Sequence, residues 1–210
     1  DQTLRMRAED GHFKWFRLRA RPVVATEGVF RLIGTMLDVT DMKTTQERLL
    51  RDAIHDSLTG LPNRELFLDR ANTAFERARL ENISRPALVV VNIDHFAQHN
   101  AAVGTSAADS LLTMVARRID RILKPNDTLS RFSGDKFGIL LLSEQKPAAV
   151  ARMTEQIRRA LKAPVVFGDD EVNLTVSIGV ATFDPNADSA EDTLRDAEIA
   201  MAGVKRSDHR

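Results

Sequence analysis

The chain has 210 residues, 43% hydrophobic and 29% charged, and its 30 basic residues cancel its 30 acidic ones to a formal net charge of zero. That balance removes a global field toward nucleic acid or a membrane, and the lack of cysteine removes disulfides and thiolate metal sites. The longest apolar runs, such as ALVVVNI at 87–93, are strand-length, well short of the eighteen or so residues of a membrane span. Residues 1–41 read as two or three antiparallel strands: FKWFRLRARPV alternates Phe13, Trp15 (with Phe16), Leu18 and Ala20 with basic partners, and VFRLIGTMLDV follows a TEG turn. At Asp38 the pattern turns helical, with Met42, Leu49, Leu50, Ala53 and Ile54 on one side and Thr40 or Asp41 as N-cap. This stripe covers under two heptads, so the segment at 42–55 is a linker helix that either packs on its own domain or pairs with a second copy.

GLPN at 60–63 breaks the chain, and helical and strand patterns then alternate. A helix from Arg64 to Leu80 precedes the strand ALVVVNI. A second helix, from about Ala107 to Leu123, places Leu111, Val115, Ile119 and Ile122 on one face. There follow a hairpin at 131–141 (RFSGDKFGILL) turning at Gly134, a helix from Pro147 to Leu161, strands VVF and VNLTVSIGVATF around a GDD turn, and a helix from Glu191 to Lys205. This order predicts an α/β (α+β) sandwich with a mixed sheet. Because the chain opens mid-pattern at Asp1, without a start methionine or signal peptide, the reading is a cytoplasmic segment of a longer protein, with no nucleic acid and no membrane contact of its own.

Chemistry concentrates in three places. NIDHFAQHN at 92–100 leaves a central strand, where ligands of α/β proteins gather because free backbone N–H groups point outward. The turn Ser133–Phe137 carries adjacent Asp135 and Lys136, and if its strand neighbours ALVVVNI, then Asn92, Asp94 and Asp135 face one cleft. The third place is the basic end of the last helix, VKRSDHR.

From about Asp56 to Lys205 the chain resembles a GGDEF domain, the diguanylate cyclase family that condenses two GTP into cyclic di-GMP. The resemblance rests on DSLTGLPNR, SIGVA, DAEIAM with its following lysine, and RFSGDKF at the Gly-Gly-Asp-Glu-Phe signature. It implies a nucleotidyl-cyclase-like palm, a central mixed, mainly antiparallel sheet flanked by helices. EDGHFKWFRLRARPV followed by IGTMLDVTD is similar to the last strands of a PAS domain. The implied organisation is PAS strands at 1–41, a signalling linker helix at 42–55 and a degenerate GGDEF domain at 56–210.

The resemblance assigns the two-Mg²⁺ positions to Asn92 and Asp135, and the acidic position needed for turnover to Lys136. Mg²⁺ prefers carboxylate oxygen, and an ammonium about 4 Å away repels it by several kcal/mol. Mg²⁺ is therefore expected only if the domain is active. Nucleotide contacts carry over to the amides of His95, Phe96 and Ala97, to Asn100 and Asp109 reading guanine, to Ser133 and Gly134, and to Lys205. Other family residues are replaced, at Ala97, Ala101, Thr105 and near His209. The inhibitory Arg-x-x-Asp site is reduced to Lys124 and Asp127, and lysine lacks the bidentate fork of arginine.

Plainer roles stand beside these. Lys136 is a solvated turn lysine, a phosphate contact in place of a metal ion, or a partner of Asp135. Asp94 is a helix-start carboxylate or a ligand. His95 and His99 lack a companion metal-ligand cluster, Trp15 packs on the sheet, and Asp56 and Arg64 fix the end of the linker. The implied function is a catalytically silent GGDEF domain that relays a PAS signal and binds GTP to regulate a neighbouring EAL-type domain. The alternatives are a weakly active diguanylate cyclase and a structural spacer forming a homodimer through the linker helix.

Overall fold

The structure, a computed structural model, describes residues 1–24, 30–81, 85–143, 146–167, 170–184 and 189–207. The expected TEG turn and the Gly168–Asp169 part of the GDD turn lie outside the described residues. The chain divides into two compact units, Asp1–Ala53 and Ile54–Arg210.

In the first unit, β1 (Gln2–Arg7), β2 (Phe13–Val24) and β3 (Phe30–Asp38) form an antiparallel meander in that order. The helix α1 (Thr40–Ile54) follows at once. Its start differs from the expected cap. Asp38 accepts the Thr40 backbone N–H at 2.9 Å and the Thr40 hydroxyl at 2.6 Å, while the same hydroxyl oxygen accepts the Trp15 backbone N–H at 2.9 Å. The Thr40 side chain thus ties the helix to the sheet, and Asp38 satisfies the orphan donor. No residue of α1 is buried, and Leu49 and Leu50 are 66% and 61% exposed, so the helix does not bury its stripe on its own unit.

The second unit contains α2 (Arg64–Glu81), β4 (Ala87–Ile93), α3 (Phe96–Val103), α4 (Thr105–Asp120), β5 (Thr128–Ser133), β6 (Lys136–Leu141), α5 (Pro147–Lys162), β7 (Val165–Phe167), β8 (Asp170–Val172), β9 (Val176–Thr182) and α6 (Ala190–Ser207). Its main sheet has the order β5-β6-β4-β9, and every described pairing is antiparallel. The mixed sheet expected from alternating helices and strands is resolved by topology. Each helical crossover joins strands that run parallel but lie one strand apart, β4 to β5 around β6, and β6 to β9 around β4, giving two split βαβ units. VNLTVSIGVATF is not one strand: β8 ends at Val172, Leu174 turns into the core, and the Thr175 carbonyl, accepting the Asp94 N–H at 2.9 Å, opens the pairing of β9 with β4.

All seven residues of β4 are buried, as a central strand covered on both faces requires. Val89, Val91 and Ile93 join one core with α4 and α5; Leu88 and Val90 join the other with α2 and α6. Two glycines set how closely the layers approach. A Cβ at Gly179 would strike the α6 backbone at Ala197 and Met201, and one at Gly138 would strike the Phe132 ring, itself edge-on to Phe67 of α2 at 4.9 Å. Close contact of β9 with α6 is what brings an α6 side chain to the end of the sheet.

Candidate functional site

The β5–β6 turn meets the end of β4 at the edge of the α6-side core. Asn92 pairs across to Lys136 on β6 and to Ser177 on β9, and the Ile93 N–H donates to the Asp135 carbonyl at 3.1 Å. Gly134 takes φ 48°, a left-handed value that glycine accepts without a Cβ clash. A register shift between Arg131 and Ser133 sharpens the turn, as bulges do. The cleft grouping of Asn92 with Asp135 is therefore real: the Asn92 amide donates to the Asp135 carboxylate at 2.8 Å and to the Ile93 carbonyl at 2.7 Å.

Lys136 does not pair with Asp135. Its ammonium lies 3.1 Å from the Glu198 carboxylate of α6, with the two side chains 31% and 30% exposed. Alternation along β6 sends Phe137, Ile139 and Leu141 into one core, which leaves Lys136 on the α6 side. Counting Glu198 with Asp135 and Lys136 gives one net negative charge, where the sequence pair alone gave none.

This donor set does not fit a pair of magnesium ions. Asn92 turns its N–H₂ end, not its oxygen, to Asp135, and an ammonium occupies the neighbouring acidic position. Among the described residues no three His, Cys, Asp or Glu side chains converge to hold a metal.

Asp94, read first as a helix-start carboxylate, does something else. It is buried and accepts the Ser177 hydroxyl at 2.8 Å, fastening the end of β4 to β9. The residue before α3 is His95, at φ 55° and ψ 23°, which caps without a side-chain hydrogen bond. It is the one non-glycine with positive φ among the described residues, a conformation that turns the chain sharply from β4 into α3. The amides of His95, Phe96 and Ala97 thus stand at the N-terminal end of α3, as expected. Asn100 lies on that helix, and its Oδ1 is shielded from solvent with no hydrogen-bond partner. Asp109 borders a cavity of about 720 Å³ along α4, with Leu58, Thr105, Ser106 and Met114 in its wall; Asn100 is not part of that wall. The side chains of His99 and Lys205 lie outside the described residues.

The Lys124–Asp127 pair is not an open anion site. The Asp127 carboxylate accepts the backbone N–H of Lys124 (3.0 Å), Leu142 (2.9 Å) and Ser143 (3.0 Å), and the Ser143 hydroxyl (2.7 Å). Its acceptor capacity is spent on bracing the loop before β5 against the end of β6.

Two residues went unread in the sequence. Glu198 is one. The other is Arg131, 9% exposed, whose guanidinium donates to both Asp56 oxygens (3.0 and 3.1 Å) and, through Nε and the second terminal nitrogen, to the Gly134 carbonyl (3.0 and 2.8 Å). Burial alone would raise the Asp56 pKa; hydrogen bonds from Thr59 and Arg131 outweigh it and hold the carboxyl below its ordinary value. Asp56 therefore grips the turn rather than only the linker end, while Arg64 pairs with Glu191 of α6 at 3.1 Å. A charge at an inward strand position is the signal that could have found Arg131.

Comparison with known proteins identifies the family and the fold of the second unit. Residues 53–210 match the family model described as diguanylate cyclase, GGDEF domain. The chain is 34% identical over 159 residues to diguanylate cyclase TpbB of Pseudomonas aeruginosa, covering 75% of this chain and 36% of that one. It is 32% identical over 171 residues to the bifunctional diguanylate cyclase/cyclic di-GMP phosphodiesterase MucR of the same species, covering 81% and 25%. The chain thus spans about a quarter to a third of these relatives. The crystal structure of the coiled coil and GGDEF domain of DgcB from Caulobacter crescentus, in complex with c-di-GMP, superposes with a TM-score of 0.71 at 29% identity, over 80% of this chain and 89% of that one.

Proposed function

Because the chain belongs to the GGDEF family of diguanylate cyclase domains, we propose that it serves cyclic di-GMP signalling as a catalytically silent domain that binds GTP and passes a signal between neighbouring domains. The observation that carries this reading is the double replacement at the signature turn: Asn92 donates into Asp135, and Lys136 is neutralised by Glu198. Joining two nucleotides by phosphoryl transfer calls on divalent cations to gather anionic oxygens, and this turn offers one carboxylate that already accepts an amide. What remains suits recognition. Asp109 has a carboxylate for a guanine N–H edge, Asn100 an acceptor without a donor, and α3 a row of amides.

The upstream strands and α1 fit the role of input. PAS-like strands at 1–41 feed directly into a helix whose exposed Leu49 and Leu50 favour pairing with a second copy. Downstream, an EAL-type phosphodiesterase is the neighbour such a domain would regulate, as in the bifunctional organisation named for MucR.

Incubation with GTP and Mg²⁺ is expected to yield no cyclic di-GMP, whereas calorimetry detects GTP and retains the signal in EDTA. Asn92→Asp with Lys136→Glu restores the acidic pattern, and recovered synthesis in that variant would attribute the silence to these positions. Product from the natural chain that disappears in Asp135→Ala would overturn the silent reading; no binding at millimolar GTP would overturn the sensing one.

A further inference from the structure

The register of the three-stranded sheet separates charge that the balanced composition hides. Arg5 lies opposite Trp15, Arg7 opposite Phe13, Arg17 between Thr3 and Leu37, Arg19 opposite Thr35, Arg21 opposite Ile33 and Arg31 opposite Val23. Strand side chains alternate between faces and directly opposed residues share one. Six guanidiniums from all three strands therefore stand on one face, while Leu4, Phe16, Leu18, Leu32 and Met36 occupy the other.

Among the described residues one carboxylate answers them: Asp1 pairs with Arg19 at 3.0 Å. Arg5 stacks over the Phe13 ring at 4.7 Å, and among the described residues Arg7, Arg17, Arg21 and Arg31 have no ion-pair partner. Arginines two apart on a strand are separated by roughly 7 Å, inside the Debye length at physiological salt, so the array repels itself unless an anionic partner covers it. Apolar side chains are set among the charges, with Phe13, Ile33 and Leu37 exposed by 53%, 57% and 61%.

We propose that this arginine face docks the domain on an anionic phospholipid surface, with guanidiniums on headgroup phosphates and Phe13, Ile33 and Leu37 at the boundary with the acyl chains. Two features select lipid over a linear polyanion. The charges spread across three strands rather than along one row, which matches a planar array of phosphates. The interleaved aliphatic side chains have no use for a phosphodiester backbone or an acidic peptide, whereas the membrane interface takes basic and apolar groups together. The expectation of no membrane contact came from summed charge, which says nothing of how a sheet segregates it. This surface is independent of the nucleotide site.

Trp15, the sole tryptophan, lies on this same face and reports on contact. Adding vesicles of phosphatidylcholine with about one-third phosphatidylglycerol to the full chain is expected to shift Trp15 emission to the blue and sediment the protein. Pure phosphatidylcholine should do neither, and about 0.5 M salt should reverse the binding. Each basic residue near an anionic leaflet is worth about fivefold in affinity, so R7E/R21E/R31E, three exposed positions on three strands, loses roughly a hundredfold or more. Salt reversal in the natural chain tests the same claim if that variant misfolds. Failure to bind anionic vesicles, equal binding to neutral ones, or tighter binding to poly-uridylate or polyglutamate than to vesicles would each overturn it.

Discussion

The signature turn is held by two sets of contacts that differ in kind. On one side, Arg131 bridges the Asp56 carboxylate to the Gly134 carbonyl from a nearly solvent-free position. On the other, Lys136 meets Glu198 half in solvent, and Asn92 meets Asp135. The first set holds the shape of the turn; the second sets the charge it presents. The two are separable because the Arg131 contacts, to Asp56 and the Gly134 carbonyl, use none of the side chains of Asn92, Asp135 and Lys136.

Substitutions should rank accordingly. Arg131→Met breaks the buried clamp and strands Asp56, and urea unfolding should show a loss of about 3 kcal/mol. Gly179→Ala drives a methyl into the α6 backbone. It should cost about 2 kcal/mol in the same assay and separate Glu198 from Lys136, since both depend on how closely α6 lies on β9. Asp127→Ala removes the acceptor of three backbone N–H groups and a hydroxyl, for about 2 kcal/mol.

Acid sharpens the contrast further. The Asp56 carboxyl is depressed in the folded state, so its contribution is present above the ordinary carboxylate value of 3.8 and is lost as pH falls through the lower folded value. Unfolding midpoints measured from pH 5 downward should therefore drop less steeply in Asp56→Asn than in the natural chain. Smallest of all is Lys136→Ala, expected within about 1 kcal/mol of the natural chain because its ion pair is solvent-screened. A large loss there would show that the Lys136–Glu198 pair had become part of the scaffold.

Much of the frame was legible in the chain. Hydrophobic period placed α2, β4, α4, α5 and α6 within a few residues, because burial on one helix face or on both faces of a central strand leaves a direct imprint on residue order. The DSLTGLPNR and SGDKF segments located the family and the turn, and the sequence grouping of Asn92 with Asp135 is met in the structure. Less visible was the break between β8 and β9, where Leu174 is as apolar as a strand residue yet leaves the ladder for the core. What Asp127 does instead was equally hidden, since an anion-site carboxylate and one already satisfied by three amides look alike in sequence.

The sequence by itself determined the kind of fold, the order of its elements and the presence of Asp135 beside Lys136 at the turn, since these follow from local periodicity and residue identity. Only the tertiary structure decided which charge answers which. Lys136 finds Glu198 across 62 positions, Arg131 finds Asp56 across 75, and the arginines of three strands assemble on one face. Such pairings depend on strand register and on the depth at which a helix packs, quantities set by the whole core and carried by no single stretch of chain.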